Sequence, residues 1–594
     1  MAGGSRLSLD SLYVYLCKHA GRYQKLRRKT SEDLAQNLKF LGLDLEAEEV
    51  TALAMLSVIA GVAVVLGVTL TSVFLNLSII IPITLAPLPI FLFVAVGWYP
   101  KWQAESRQAQ GQGEIPRLVS YLVMTLRVNP NLERSVQFTV SHVDGPLGRD
   151  LRRELWKAYL RIHENIEEAL SRFAQHWSKR CKELKRSIHL LKSSISERDE
   201  NARLNTLDRA LELSLESTRE RMREFASGLY LPTMVIYSIG ILLPLVLLAV
   251  LPALSIINLQ IGVIELALSY CLIIPLTVYG LGKYVLAKRP ASFPPPELPA
   301  QGGPSWSELA VGITAVALPV LGLRLGLPST ILALLVLWGV TICVSVHLYL
   351  NSAQAYRLRL KNERIEEEFC DALVQLGNQM SEGRPAEDVF QRVAETTKGD
   401  FIAQIFRRAS ANVRLGGMKL HTAFFDPDEG ALRKVYSPMI LGTLHMLLDA
   451  VEKGARTAGQ TILHTASHLK KLKRIELEIR RTFGEMVSSM HSVALFFAPL
   501  VAAVTARLQE LLITKASDTP FLGGASISFA ALLGALGFYV IVLTSVLTSY
   551  SIEIERGDDG VLKHFAIARA LPVAMGVFTL GIVISGQVLS FMLG

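Results

Sequence analysis

Long uncharged apolar runs alternate with long charge-rich stretches along this chain. Nine runs, near 51–73, 77–98, 232–254, 260–282, 307–325, 328–349, 488–506, 526–549 and 570–592, approach the roughly 20 mostly apolar residues that a bilayer-crossing helix needs. Only Gly322 to Pro328 separates the fifth run from the sixth. Its three breakers and one charge predict two helices in place of one very long one. Between the runs, residues 99–229 and 350–487 are rich in Leu, Arg, Glu, Lys and Ala, with almost no strand-like alternation, and so read as helical. Ile115, Leu118, Leu122 and Leu126 fall at spacings of 3 and 4 on one helical face, and Phe369, Leu373, Leu376 and Met380 make a similar stripe. The first stripe runs into a turn at Pro130, the second into a turn at Gly383 and Pro385.

The expected fold is therefore all-α: a polytopic membrane protein with about nine transmembrane helices and two duplicated helical-bundle cytoplasmic domains. Its parts are an N-terminal helical segment (1–50), spans 1 and 2 (51–98), a first helical domain (99–229), spans 3 and 4 (230–285), a Pro-rich linker (286–306), spans 5 and 6 (307–349), a second helical domain (350–487) and spans 7 to 9 (488–594). Composition agrees. Of 594 residues, 51% are hydrophobic and only 19% charged, with mean hydropathy +0.36, which exceeds what a soluble core needs. Disorder, collagen and a disulfide-stapled miniprotein are excluded.

Charge gives the sidedness. With nine crossings, 58 of the 61 Lys and Arg fall on one side, leaving Arg324, Arg507 and Lys515 on the other. The positive-inside rule then puts the N-terminus in the cytoplasm and the C-terminus outside a cell membrane. Residues 1–50 are polar and carry the basic run Lys25, Arg27, Arg28 and Lys29, so the first span is expected to be retained and not cleaved as a secretory signal. The net charge of +9 comes mostly from the two helical domains, which contribute +5 and +3.

The two domains align at an offset of 254 residues: Ile115 on Phe369, Leu122 on Leu376, Glu133 on Glu387, Val136 on Phe390, Gly145 on Gly399, Leu147 on Phe401 and Arg153 on Arg407. Each domain ends in a basic amphipathic helix that feeds an apolar run, RERMREFASGLYLP in the first and KRIELEIRRTFGEM in the second. With the segments EIPRLVSYLVMTLRVNPNLERSVQFTVSHVDGPLGRDLRREL and EFCDALVQLGNQMSEGRPAEDVFQRVAETTKGDFIAQIFRRA, the chain resembles the type II secretion F family. These are the inner-membrane platform proteins of type II secretion systems and type IV pili. Nine spans with two such domains most resemble the archaeal branch, the platforms of archaella and adhesion pili, related to bacterial tight-adherence platforms. The likeness covers roughly residues 99 to 594. It departs from the family in the turn after the first helix, where Gly383 to Pro385 fits the Gly-x-Ser or Gly-x-Pro pattern and Val128 to Pro130 does not.

The resemblance implies a non-enzymatic platform that couples a hexameric secretion ATPase to the insertion of pilin or archaellin subunits, with no catalytic residues and no cofactor. It leaves monomer and homodimer open. The alternative is a polytopic transporter or membrane sensor with helical cytoplasmic domains. Few ionisable residues lie in the apolar runs, Glu265, Glu308, His347 and His491 near their ends, and this scarcity counts against ion-coupled transport.

Other chemistry is thin. No GxxxxGK[ST] phosphate loop occurs, since Gly282-Lys283 is followed by Tyr284, and HExxH is absent. His464 and His468 share a helix face at i, i+4 but lack a third ligand nearby in sequence, so no metal is expected. Cys17, Cys181, Cys271, Cys343 and Cys370 form no CxxC and read as free thiols. Two basic clusters remain as candidate partner surfaces: Lys179, Arg180, Lys182, Lys185 and Arg186 in the first domain, and Lys470, Lys471, Lys473, Arg474, Arg480 and Arg481 in the second. For the second cluster, anionic lipid headgroups, an acidic soluble partner and a solvated helix face compete. Nucleic acid is not expected, because no aromatic residues interleave the basic ones.

Overall fold

A computed structural model describes residues 9–593 apart from 24–31, 75–85, 87, 144, 179, 257–261, 290–311, 313–316, 318, 321, 398–399, 453 and 518–527. The basic run at 25–29, Lys179, Glu308, Gly399, most of the Pro-rich linker and parts of the expected spans at 77–98 and 307–325 lie outside the described residues.

The protein is all-helical, with no strand among the described residues. Helices α1 (Leu9–Tyr23) and α2 (Glu32–Leu41) pack on α3 (Ala47–Phe74), whose apolar residues run all round it. Helix α4 (Leu88–Val128) starts apolar, continues through Pro100 and Pro116 and ends in the first helical domain. That domain adds α5 (Leu132–His142), α6 (Pro146–Tyr159), α7 (Ile166–Ser178), α8 (Lys182–Ser196) and α9 (Glu200–Gly228). The chain then runs through α10 (Tyr230–Tyr237), a π turn at Ser238–Leu242 and α11 (Leu243–Ile256). Next come α12 (Val263–Leu268), a second π turn at Ser269–Ile273 and α13 (Ile274–Ala287).

The turn expected between the fifth and sixth runs is present. Gly326 takes φ +65° and its amide bonds back to the Leu323 carbonyl, closing one helix before Pro328 opens α14 (Ser329–Ser381). The 53 residues of α14 reach from the apolar layer into the second helical domain. There follow α15 (Ala386–Thr396), α16 (Asp400–Arg414), α17 (Leu420–Phe425), α18 (Pro438–Val451) and α19 (Ala455–Ser492). A third π turn at Val493–Phe497 leads to α20 (Ala498–Ser517), and α21 (Phe529–Arg556) and α22 (Gly560–Leu593) complete the chain. Among the described residues, seven helical stretches are long and apolar enough to cross a membrane: Ala47–Ser72, Glu200–Val250, Glu265–Ala287, Ser329–Ser381, Ala455–Leu511, Phe529–Arg556 and Gly560–Val588. They fit a multi-pass membrane protein.

Among the described residues three hydrophobic clusters hold the molecule, a small one of Tyr13, Cys17, Leu38 and Val50 among α1, α2 and α3, and two large ones. One unites both helical domains: Ile115, Leu118, Leu122 and Leu126 of α4, all at most 1% exposed, belong to the same buried cluster as Phe369, Leu373, Leu376 and Met380 of α14. The other lies in the apolar helices and centres on α21.

The elements recur at the spacing read from the sequence. Helices α5 and α15 lie 254 residues apart at both ends, Leu132 to Ala386 and His142 to Thr396. The starts of α6 and α16 (Pro146, Asp400) and of α7 and α17 (Ile166, Leu420) keep the same interval. One contact recurs with them, buried in the first domain and partly buried in the second. The Glu114 carboxylate accepts the Leu147 amide at the start of α6 (3.0 Å), and Glu368, 254 residues on, accepts the Phe401 and Ile402 amides at the start of α16 (3.0 and 2.9 Å). Helix N-termini carry unpaired amides, and a carboxylate from another helix satisfies them. Gly145 makes room for this, because a Cβ there would overlap the Glu114 carboxylate. At the turn after the first helix, Gly383 uses φ +85°, while the Val128 to Pro130 turn contains no left-handed residue and instead leads into Asn131, whose side chain caps α5.

Candidate functional site

Two antiparallel helix pairs, α4 with α9 and α14 with α19, descend from the apolar layer into the helical domains. Between the pairs, α9 and α19 run side by side in the same direction, and their facing side chains form a ladder. Asp208 faces His468 (3.2 Å), Glu212 pairs Lys471 (3.2 Å), and Glu478 takes both Arg219 and Arg223. Arg127 of α4 also reaches Asp208, at 2.5 Å. Burial opposes ionisation of Asp208, but the hydrogen bond from His468 and the Arg127 guanidinium together outweigh it and bring the carboxyl down to about 2.

Where this ladder meets the apolar layer, a cavity of about 120 Å3 opens between α4, α14, α19 and the end of α21. Ion pairs knit its walls. Glu363 of α14 accepts from Arg480 of α19 (3.3 Å) and Arg556 of α21 (2.9 Å), and Glu476 accepts from Arg480 (2.6 Å) and Lys473 (3.3 Å). Glu366 faces Lys473 at 3.7 Å and accepts the Ser437 hydroxyl at 2.6 Å. Its burial pushes the carboxyl up, against the pull of Ser437 and Lys473. Arg359 completes the set against Asp559, at 3.5 Å. Removing one partner from such a half-buried network strands the other charge, at a cost of about 3 kcal/mol or more. The junction therefore fastens the second helical domain to the apolar bundle.

The structure divides the sequence-predicted basic clusters. Arg180 is held inside the first domain: its guanidinium lies over the Phe40 ring (4.2 Å) and donates to Gln108 and Asn37 (2.8 and 2.7 Å). Lys182, Lys185 and Arg186 are exposed on α8. In the second cluster, Lys470 pairs with Asp371 of α14 (2.8 Å), Lys471 with Glu212 of α9, and Lys473 and Arg480 belong to the junction. Arg474 and Arg481 are exposed. Helical twist thus turns the paired members of this cluster toward two neighbouring helices, α14 and α9, and leaves Arg474 and Arg481 outward. His464 and His468 are likewise split: His468 is buried against Asp208, and His464 is exposed.

Of the ionisable residues near the ends of the apolar runs, Glu265 is buried, His347 is exposed beside Asn351, and His491 bonds the Val487 carbonyl. All five cysteines are free. Among the described residues no group of three His, Cys, Asp or Glu is placed to hold a metal ion. Three histidines do gather where the domains meet: His421 Nε2 lies 3.1 Å from His445 Nδ1, with the His142 ring 6.0 Å from that of His445. Sequence reasoning missed this group and the junction alike, because their members come from separate helices. Comparison with protein families, with curated proteins and with solved structures finds no match to the chain.

Proposed function

We propose that the chain is a non-enzymatic assembly platform of a type IV pilus-like filament, an archaellum or adhesion pilus. It sits in the cell membrane with its N-terminus in the cytoplasm and its C-terminus outside. Nine spans and two duplicated cytoplasmic domains form its frame. The observation that carries this reading is the matched pair of helical units, each sending long helices unbroken from a charged domain into the apolar layer. Supporting the duplication are the common 254-residue spacing of the elements and the paired Glu114 and Glu368 caps. A hexameric secretion ATPase docks on the domains, and its strokes pass through α9 and α19 into the bundle, where each cycle admits one pilin helix. The exposed basic residues Lys182, Lys185, Arg186, Arg474 and Arg481 are the ATPase-facing candidates, since the other basic side chains of their clusters described in the structure are held in internal contacts.

Co-purification of the full chain with the secretion ATPase from its own genomic neighbourhood tests the proposal. The wild type captures the ATPase, and charge reversal at Lys182, Lys185 and Arg186, or at Arg474 and Arg481, abolishes capture and filament assembly. A wild-type chain that captures no ATPase and whose deletion leaves filaments intact sinks it.

A further inference from the structure

A further cleft adjoins neither basic cluster named above. It measures about 910 Å3 and lies between α6 of the first helical domain and the ends of α13 and α21. Its walls carry Arg107, Arg149, Arg153, Lys283 and Arg289 against only two acids, Glu553 and Asp558. Both acids are already neutralised. Glu553 accepts from Lys283 (2.9 Å) and from Lys563 of α22 (2.8 Å), and Asp558 pairs with the same Lys563. Arg107 is committed to Asp150 and the Leu41 carbonyl, at 2.9 Å each, and Arg289 to the Ile554 carbonyl at 2.8 Å. Arg149 and Arg153 differ. They stand one turn apart on α6, and both are exposed, the Arg153 side chain by 61% even with Asp150 3.4 Å away. The cleft is thus net positive and presents two guanidiniums on one wall, a geometry suited to the oxygens of a phosphate.

The cleft is also lined by the apolar and aromatic side chains of Trp102, Tyr279 and Leu286. Its depth in the molecule is informative. The crossing stretches of α13 and α21 end at Ala287 and Arg556, beside the cleft, and the ring pairs Trp98–Tyr284 and Tyr99–Trp102 lie at the same level. Aromatic residues collect where a bilayer meets water, and anionic headgroups attract basic side chains at that level.

We propose that this cleft binds a phosphate-bearing anion, the headgroup of an anionic phospholipid, with Arg149 and Arg153 on the phosphate and the Tyr279–Leu286 wall against the glycerol and first methylenes. The occupant would bridge the first helical domain to the ends of α13 and α21. The inference rests on reading the chain as a multi-pass membrane protein.

The test is native mass spectrometry of the full chain in detergent, titrated separately with phosphatidylglycerol, phosphatidylcholine and inorganic phosphate. Phosphatidylglycerol is expected to bind at least tenfold more tightly than phosphatidylcholine. The double variant R149E/R153E is expected to lose that preference, R149K/R153K to retain most of it, and K182E/K185E, on the exposed face of α8, to leave it unchanged. Inorganic phosphate that binds and is lost in R149E/R153E supports the anion site with a soluble source; phosphate that fails to compete assigns it to the lipid. Equal binding of the two lipids, or phosphatidylglycerol binding that survives R149E/R153E in a variant with wild-type thermal unfolding, overturns the proposal. Flotation of the wild type with liposomes checks the membrane reading separately, since a chain that does not float fails that reading whatever the anion titration gives.

Discussion

Replacing Glu114 with Gln should abolish the pH response of α6. Burial pushes the Glu114 carboxyl up, outweighing the amides of Leu147 and Gly148 and the charges of Arg117 and Arg149, and leaves it at about 7 against an ordinary 4.5. An acid whose folded pKa lies above its unfolded one favours the fold while protonated. Its contribution is complete below about 4.5 and is lost as pH rises through about 7. At 1.36 kcal/mol per unit the gap is worth about 3 kcal/mol, or roughly 300-fold in a local opening equilibrium. Gln keeps an acceptor for the Leu147 amide and cannot ionise, so E114Q escapes the loss. Hydrogen exchange, read by mass spectrometry on peptides covering 145–155 of the full chain and corrected for intrinsic rates, isolates this helix from the rest of the molecule. Between pH 5 and pH 8, protection of the wild type relative to E114Q should fall by about 100-fold. A ratio that does not change with pH refutes the buried-acid account.

Gly145→Ala forces a Cβ into the Glu114 carboxylate and should cost about 2 to 3 kcal/mol in thermal unfolding of the full chain, with E114A largely relieving it in the double variant. Gly459→Ala sets a methyl against the Ser381 backbone and should part α14 from α19, read as faster exchange at the α14 end while α6 keeps its protection. For Asp208, held down near 2, the stabilisation is complete above about 4 and is lost as pH falls toward 2. Asp208→Asn should therefore cost about 1 kcal/mol at pH 7 once screening of this partly exposed group is counted, and nothing near pH 2, by chemical denaturation. Tyr539→Phe with Thr544→Val removes two hydroxyls that bond the Gly240 and Ala494 carbonyls. Each loss should cost roughly 0.6 to 1.7 kcal/mol in nanodiscs, and an unchanged melting temperature in the double variant would refute their role.

The all-helical build and the apolar character of the long runs were legible because they rest on length and composition, which survive any detail of packing. Nine runs were expected, and seven helical stretches among the described residues are long and apolar enough to cross a membrane. The carboxylate caps were not read from the sequence, although Glu114 and Glu368 fall on the same 254-residue offset, because nothing in one sequence marks either as a partner of a distant helix end. The partner faces were not legible. Lys470 and Lys471 are adjacent, yet one turns to Asp371 of α14 and the other to Glu212 of α9, because each helical residue rotates about 100° from the last. Arg180 looks like part of a surface run until Phe40, from a segment far back in the chain, covers it. Arg149, Arg152 and Arg153 crowd five residues around Asp150, but nothing in that run says that Arg149 and Arg153 share a cleft with helices more than 120 residues away.

The three π turns clarify how force would cross the apolar layer. A π turn frees a backbone carbonyl, which in an apolar setting must find a donor. The Gly240 carbonyl in the first turn accepts from Tyr539, and the Ala494 carbonyl in the third, 254 residues on, accepts from Thr544 at 3.2 Å. Both donors are on α21. The second turn touches the same helix, Cys271 donating to the Ala535 carbonyl at 3.5 Å. Tyr539 and Thr544 are five residues apart, about 140° around the axis, so equivalent turns grip α21 from different sides. At its lower end, α21 is fastened again through Arg556 to Glu363 of α14, at 2.9 Å. A shift of either α9 or α19 along its axis must therefore drag α21 or break a hydroxyl bond that no water can replace. This makes α21 the element that both helices hold, and on the proposed platform function the one on which movements of the two domains would converge.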